Sequence, residues 1–303
     1  MVPQQISDRP RFARAACNWR LRGAARSRRW YACAGLRAGR SLPARWRSRG
    51  QRIGGIVLRL ATSREDNQSA QPRPWGLWAT AGFSLVVVAV FIAVQVATEF
   101  ALLQWRGVAV APDVTADSFG LLVALATSLA APVGIGLTVI FAAARKGISL
   151  GAYLALNQPK RRDLWRWLGY LVAFIIAVHA VVLILDRPIV TPFEQRVYKT
   201  AQNLWLLFFA IVVAAPAFEE IFVRGFIFQG LLSPVGAKAT IIMTSLLWAL
   251  VHLQYDAVEV SMIFAAGLLL GYARLQTNSI YVPMAMHSLW NLSSAIETMI
   301  YLR

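Results

Sequence analysis

Charged residues are scarce in this sequence. Lys, Arg, Asp and Glu make up 15% of its 303 residues, and hydrophobic residues make up 57%, whereas a typical globular chain carries about 25% charged residues. Only 14 acidic residues oppose 31 basic ones. So little charge, together with a mean hydropathy of +0.53, argues against a water-soluble domain and indicates a polytopic membrane protein.

Cysteine and histidine are also rare. Cys17 and Cys33 are the only cysteines, and two of them in a polar, basic stretch indicate neither a disulfide framework nor a paired-cysteine metal site. The histidines are His179, His252 and His287, and the HExxH zinc motif is absent. Because histidines are so few, the position of each one is informative.

The basic residues are concentrated in residues 1–75, which hold 17 Arg. This stretch lacks apolar periodicity and the hydrophobic region of a secretory signal. We predict a disordered basic N-terminal segment, and three origins for it remain open: a cytoplasmic tail that touches anionic lipid, an organellar transit peptide, or translated sequence upstream of a later true start. No nucleic-acid-binding fold accompanies the charge, so nucleic acid is not an expected partner.

Residues 76–303 form the predicted membrane-embedded domain. Seven apolar stretches approach the length of about 20 residues that a bilayer requires. They are Leu77–Leu103, Phe119–Ala144, Leu164–Leu185, Ala201–Leu232, Ala239–Leu253, Val258–Ala273 and Ile280–Leu302. The predicted fold is therefore an all-α, polytopic transmembrane helical bundle of about seven spans, in contact with the lipid bilayer.

The loop between the second and third spans predicts the orientation. It carries six basic residues against Asp163 alone, whereas the loops at the opposite ends of the spans have mixed or acidic charge. Because cytoplasmic loops are enriched in Lys and Arg, we expect this loop and the N-terminus to be cytoplasmic and the C-terminus to be outside. We expect an integral protein of a bacterial inner or plasma membrane.

Ionisable residues inside the apolar run Leu204–Leu232 indicate a functional site. Glu219, Glu220 and Arg224 lie within six residues of each other, and ionisable residues in a membrane span are costly and by default functional. Glu220 and Arg224 are four residues apart and can pair on one helix face. Glu219 points about 100° away from Glu220 and needs a partner elsewhere, so we expect the chemistry there.

Later spans add His252 and, on one helix face, His287 with Asn291. Counted at 1.5 Å per residue, Glu219 and His252 lie about 20 Å into their spans and His287 about 10 Å. We therefore expect the first two to meet, and His287 to need a tilted or interrupted helix to join them.

These residue types suit the attack of water on an amide. A carboxylate beside an imidazole can activate water, and a second histidine with an Asn amide can donate to an oxyanion. Glu219, His252 and His287 are also a ligand set for zinc. The sequence leaves open whether no cofactor is required or a divalent metal such as zinc is bound.

The same residues resemble the three motifs of the CAAX-protease and bacteriocin-processing (CPBP, or Abi) intramembrane endopeptidases. The resemblance covers a protease-like core at residues 200–295, and a similar pattern at 267–279 precedes the third motif. Each motif alone is weak, but the set in this order and spacing is specific. The motifs are Glu219-Glu220-x-x-x-Arg224-Gly225, Trp248-x-x-x-His252 and His287-x-x-x-Asn291.

The resemblance implies a buried multi-helix active site. By motif position, Glu219 and His252 would activate water, whereas His287 and Asn291 would stabilise the oxyanion. The Glu220–Arg224 pair would be a supporting ion pair. Trp248 departs from the family, which usually has Phe there, and its larger side chain is expected to narrow the cavity.

The predicted function is that of an intramembrane endopeptidase. Its partner would be a membrane-associated or lipidated peptide or protein substrate. Two alternatives remain, a non-catalytic scaffold (a pseudoprotease) and a proton-coupled transporter, since buried Glu and His relays also serve transport. Transporters usually show internal repeats, and the sequence has no second copy of the Glu-Glu or His-x-x-x-Asn segments, which favours the enzyme.

Overall fold

The computed structural model describes residues 73–105 and 117–303. Within these ranges the regular elements are helices, with no strand. The predicted N-terminal segment 1–75 lies outside the described residues except for its last three positions, so its disorder and origin stay predictions. The helices are α1 (Leu77–Trp105), α2 (Phe119–Ala143), α3 (Leu150–Leu154), α4 (Arg161–Ile184), α5 (Pro192–Lys199), α6 (Leu204–Leu250), α7 (Ala257–Thr277) and α8 (Tyr281–Tyr301).

Five helices of the described residues are long and apolar enough to cross a membrane, namely α1, α2, α4, α6 and α7. Helix α6 contains two of the predicted spans, because the chain is helical on both sides of a break at Gly236, where φ is 79°. The last predicted span, α8, is helical as well, but its His, Asn, Ser and Thr side chains make it less apolar. The predicted all-α transmembrane bundle is confirmed.

Helix α6 is a hairpin with an irregular first arm. Two π-helical segments, Phe209–Ala214 and Glu220–Ile227, lie on either side of a short α-helical turn, Ala215–Glu219. Pro216 is in that turn, and a proline has no N–H to bond a carbonyl one turn earlier. Such π-helical turns occur frequently at functional sites, and here one begins within the Glu pair.

Close helix contacts hold the second arm of α6 against α7. A Cβ added to Gly267 would stand 2.9 Å from the Cβ of Ser245, and one added to Gly271 would stand 3.2 Å from a methyl group of Ile241. Small residues allow membrane helices to approach this closely. Gly267 and Gly271 therefore allow α6 and α7 to pack closely.

The turn between α7 and α8 positions the start of the last helix. Asn278 ends α7 in the left-handed conformation, with φ 47°, which Asn tolerates better than most residues. Nδ2 of Asn157 donates to the carbonyl of Asn278, and the hydroxyl of Ser279 donates to the carbonyl of Asn157. These bonds tie the loop after α3 to the start of α8 and thereby help to set the position of His287.

Candidate functional site

Glu220 is at the centre of a dry, charged cluster. Its side chain is 0% exposed, and Nη1 of Arg224 donates to its Oε1 at 3.0 Å. Nδ1 of His287 lies 3.0 Å from the same oxygen. A carboxylate oxygen bonded to a guanidinium acts as an acceptor, so Nδ1 of His287 carries a proton. Glu220 therefore orients His287 in addition to forming the predicted ion pair.

Glu219, the next carboxylate along α6, has different surroundings. Its side chain is 23% exposed, and its Oε2 lies 4.0 Å from Nε2 of His287. Nε1 of Trp248 donates to the same Oε2 at 2.5 Å. Among residues 73–105 and 117–303, no hydrogen bond engages the other oxygen, Oε1. One carboxylate oxygen is thus held in place, and the second is available.

Trp248 contacts most members of the cluster. Besides donating to Glu219, it places its ring 4.6 Å from the guanidinium carbon of Arg224, in a cation–π arrangement. The ring of His287 meets it edge-on, with centroids 5.1 Å apart. A phenylalanine at this position could not donate to Glu219, so the departure noted in the sequence adds a hydrogen bond as well as volume.

His252 follows Trp248 by one turn of α6. Its Nδ1 lies 2.7 Å from the Trp248 carbonyl oxygen. Because a carbonyl only accepts, Nδ1 carries the proton, and Nε2 of the neutral ring keeps its lone pair. In this protonation state His252 can accept a proton at Nε2.

His287, and not His252, makes the closer contact with Glu219. In the described part of the chain, no hydrogen bond or ion pair joins His252 to Glu219, although both line one cavity. His287, expected to be shallower, lies beside Glu219 instead. The residue count assumed straight helices, whereas α6 contains π-helical turns, which change the rotation and the rise per residue.

Asn291 compensates for the proline in α6. Its Nδ2 donates to the carbonyl of Ile211 at 2.9 Å. In a π-helical turn that carbonyl would bond the N–H five residues later, which is position 216, and Pro216 has no N–H. Since an amide NH₂ has two N–H groups, the second one stays available to a ligand.

A cavity of about 330 Å³ joins these residues. Glu219, Trp248, His252, His287 and Asn291 all line it. Four residues that the sequence predicted as catalytic therefore share one cavity. Glu220 and Arg224 do not line it; Glu220 contacts His287, and Arg224 contacts Trp248.

The outer part of the same cavity contains polar pairs that motif spacing missed. Nε2 of His179 lies 3.1 Å from Oε2 of Glu297, and Ser294 donates to Glu194 at 2.5 Å. His179 belongs to none of the three sequence motifs. Only the general cost of ionisable residues in apolar spans could have indicated this pair, because the partners belong to distant helices with no shared motif.

Tyr255, in the loop between α6 and α7, lines the outer end of the cavity. Burial raises the pKa of Tyr255 above its ordinary value, and the nearby carboxylates of Glu194 and Glu259 add to this effect. Its hydroxyl is therefore a stable hydrogen-bond donor at neutral pH. Its ring packs edge-on against Phe193, with centroids 5.3 Å apart.

The zinc ligand set does not fit the site as built. The described residues contain no group of three or more His, Cys, Asp or Glu side chains placed to hold a metal ion. The steps proposed below are therefore assigned to the side chains themselves.

The comparison with protein families agrees with this site. The model of the type II CAAX prenyl endopeptidase Rce1-like family matches residues 201–293. This range coincides with the predicted core and includes every residue of the three motifs, so the resemblance is confirmed. No curated protein and no solved structure matches the chain.

Proposed function

We propose that this chain cleaves a membrane-associated or lipidated peptide with water activated by Glu219 and His252. Its residues 201–293 match the model of the type II CAAX prenyl endopeptidase Rce1-like family, and the chain is an intramembrane peptidase. The supporting observation is the cavity that Glu219 and His252 share with His287 and Asn291. The available Oε1 of Glu219 and the lone pair on Nε2 of His252 are suitable proton acceptors.

In the proposed reaction, the oxygen of water forms a bond to the carbonyl carbon of the substrate while its proton passes to Glu219 or His252. The carbonyl electron pair moves onto oxygen, and N–H groups of Asn291 and His287 donate to the oxyanion. Collapse of this intermediate breaks the C–N bond. The proton held by the enzyme passes to the leaving nitrogen, giving a carboxyl group and an amine.

His287 can donate to an oxyanion only from Nε2, because Nδ1 faces Glu220. Both ring nitrogens are then protonated, and the ring is positively charged. Together with Arg224, that charge balances the charges of Glu219 and Glu220. A cluster that is neutral overall suits a region with few polar neighbours, where an unpaired charge would be strongly unfavourable.

The orientation and the domain boundary belong to the same proposal. Residues 1–75 are a basic segment separate from the membrane domain 76–303, and the basic loops and the N-terminus lie in the cytoplasm. The membrane is a bacterial inner or plasma membrane. The proposed orientation follows from the distribution of Lys and Arg.

Cleavage of a fluorogenic peptide library by the purified full chain in detergent tests the proposal. Glu219→Gln should lower kcat by about 10²- to 10⁴-fold, the usual contribution of general base catalysis. Glu99→Gln in α1, away from the cavity, is the matched control and should cleave like the wild type. Cleavage by Glu219→Gln at the wild-type rate would contradict the mechanism.

Two further outcomes of this assay distinguish the alternatives. Activity that a chelator abolishes would require a metal held by a rearranged site. Absence of cleavage by the wild-type chain on every peptide would favour the pseudoprotease scaffold.

A further inference from the structure

The two ends of the helical bundle carry different numbers of basic residues. One end, the basic end, holds eight described Lys and Arg residues that are not buried, against a single acid, Asp163. Contacts bring its segments together, since Nε of Arg145 donates to the carbonyl of Arg73 and Gly230 of α6 packs on Thr80 of α1. The eight are Arg73, Arg145, Lys146, Lys160, Arg161, Arg162, Arg166 and Lys238.

The opposite end, the acidic end, has half as many. Its four basic residues, Arg187, Arg196, Lys199 and Arg303, are accompanied by five acids in the described loops and helix ends. Arg187 bridges two of these acids, Asp256 and Glu259. Because orientation follows the count of Lys and Arg in short loops, the basic end is cytoplasmic and the acidic end is extracytoplasmic. The five acids are Asp117, Asp186, Glu194, Asp256 and Glu259.

The cavity reaches only one of these ends. Pro188 and Ile189 from the loop after α4, and Gln254 and Tyr255 from the loop after α6, line it at the acidic end. Ile189 is 45% exposed, so the cavity wall continues to the surface there. Within the described ranges, none of the turns at the basic end (144–160, 233–238 and 278–280) contributes to the lining.

We infer that substrate enters the cavity from the extracytoplasmic side. This inference rests on the proposed function. The substrate is then an extracytoplasmic segment of a membrane-anchored protein or peptide. The described cavity reaches Glu219 and His287 from the acidic end, whereas the turns at the basic end do not line it, so a peptide tail that stays in the cytoplasm is not the expected substrate.

The depth of the cavity sets how far a substrate must reach. His287 and Glu297 both line it and are ten residues apart in α8, about 15 Å. At about 3.3 Å per residue, an extended chain needs four to five residues to cover that distance. The scissile bond therefore lies about five residues inside the opening, and the entering segment must be extended.

The walls of the cavity agree with a substrate anchored in the membrane. Val123 and Thr127 of α2 and Val178 and Val182 of α4 line one part, and Ser294 of α8 lines another. The cavity thus offers an apolar wall between two membrane-spanning helices and polar groups along α8. A chain that passes from lipid into the extracytoplasmic space would present both kinds of surface.

Cysteine accessibility in intact bacterial cells tests the route of entry. In the full chain with Cys17→Ser and Cys33→Ser, single cysteines are introduced at the opening (Gln254→Cys), inside the cavity (Met262→Cys) and at the basic end (Lys238→Cys). A membrane-impermeant maleimide should label the first two in intact cells and the third only after permeabilisation.

Labelling of Lys238→Cys in intact cells would overturn the inference, and so would a Gln254→Cys or Met262→Cys that reacts only after permeabilisation. The result does not depend on catalysis. A chain that cleaves no peptide but gives the expected labelling would refute the proposed function and leave the extracytoplasmic opening in place. A chain that cleaves peptides but shows the reverse labelling would support the proposed function and refute the extracytoplasmic opening.

Discussion

Glu219 and Glu220 are adjacent in α6 but have different surroundings. Glu220 is 0% exposed and contacts the charged side chain of Arg224 and the ring of His287. Glu219 is 23% exposed, lines the cavity and contacts the neutral N–H of Trp248. Adjacent carboxylates in contrasting surroundings can take separate roles, and the proposed mechanism assigns positioning to Glu220 and reaction with water to Glu219.

The backbone explains how adjacent residues reach such different surroundings. Glu219 ends the short α-helical turn that contains Pro216, and Glu220 begins the second π-helical segment. The change of helix type alters the rotation per residue at this point. One carboxylate therefore faces the cavity and the other faces the packed interior.

Removing the charged partner of the buried Glu220 should have the largest effect on stability. Arg224→Ala leaves the buried carboxylate of Glu220 without its charged partner, which should lower the free energy of unfolding by about 3–5 kcal/mol. Denaturant unfolding of the purified chain in detergent measures this. Glu219→Gln, on the cavity side, should change the same quantity by less than about 1 kcal/mol. Equal losses in the two variants would show that the faces do not differ in this way.

Removing the hydrogen bond from Trp248 to Glu219, which faces the cavity, should affect turnover more than stability. Trp248→Phe keeps a ring against Arg224 but removes the N–H that holds Glu219, so we expect kcat to fall about tenfold, which corresponds to about 1.4 kcal/mol. KM should stay unchanged, since the lost bond orients a reacting group and binds no substrate.

The matched control for Trp248→Phe is Trp167→Phe. Trp167 is equally buried, and its Nε1 has no hydrogen-bond partner in the described part of the chain. The same chemical change there should leave kcat at the wild-type value. A comparable loss of kcat in both variants would mean that ring volume matters and the N–H does not.

The smallest effect on the free energy of unfolding is expected at the solvent-exposed outer end of the cavity. The side chains of His179 and Glu297 are 31% and 33% exposed, and ion pairs with this access to water contribute about 0.2–1 kcal/mol. Glu297→Gln should therefore lower the free energy of unfolding by less than 1 kcal/mol in the same denaturant assay. A loss as large as that of Arg224→Ala would place this pair in a dry environment instead.

Local patterns in the sequence were sufficient for much of the fold and for the composition of the site. Apolar length located the helices, and the two spans in α6 were separated correctly at Gly236 because Pro234 and Gly236 interrupt the pattern. Four-residue spacing predicted the Glu220–Arg224 pair, which is present. These features depend on neighbours within one or two helical turns, and such neighbours are visible in a single chain.

Contacts between distant residues were not accessible in the same way. The bonds of Glu220 to His287, of Trp248 to Glu219 and of Asn291 to Ile211 join residues on different helices or on different arms of α6. Their existence depends on helix rotation and rise, which the π-helical turns change. No periodicity in the sequence records those turns.

By itself, the sequence determined that this protein is a helical membrane protein and which chemical groups its site contains, because hydrophobic length and residue identity are local properties. Only the tertiary structure decided which carboxylate faces the cavity, which histidine lies beside it and toward which end of the bundle the cavity opens. Those features arise from the packing of α6, α7 and α8. Packing is a property of the whole bundle, where small changes in rotation move a side chain from one face to another.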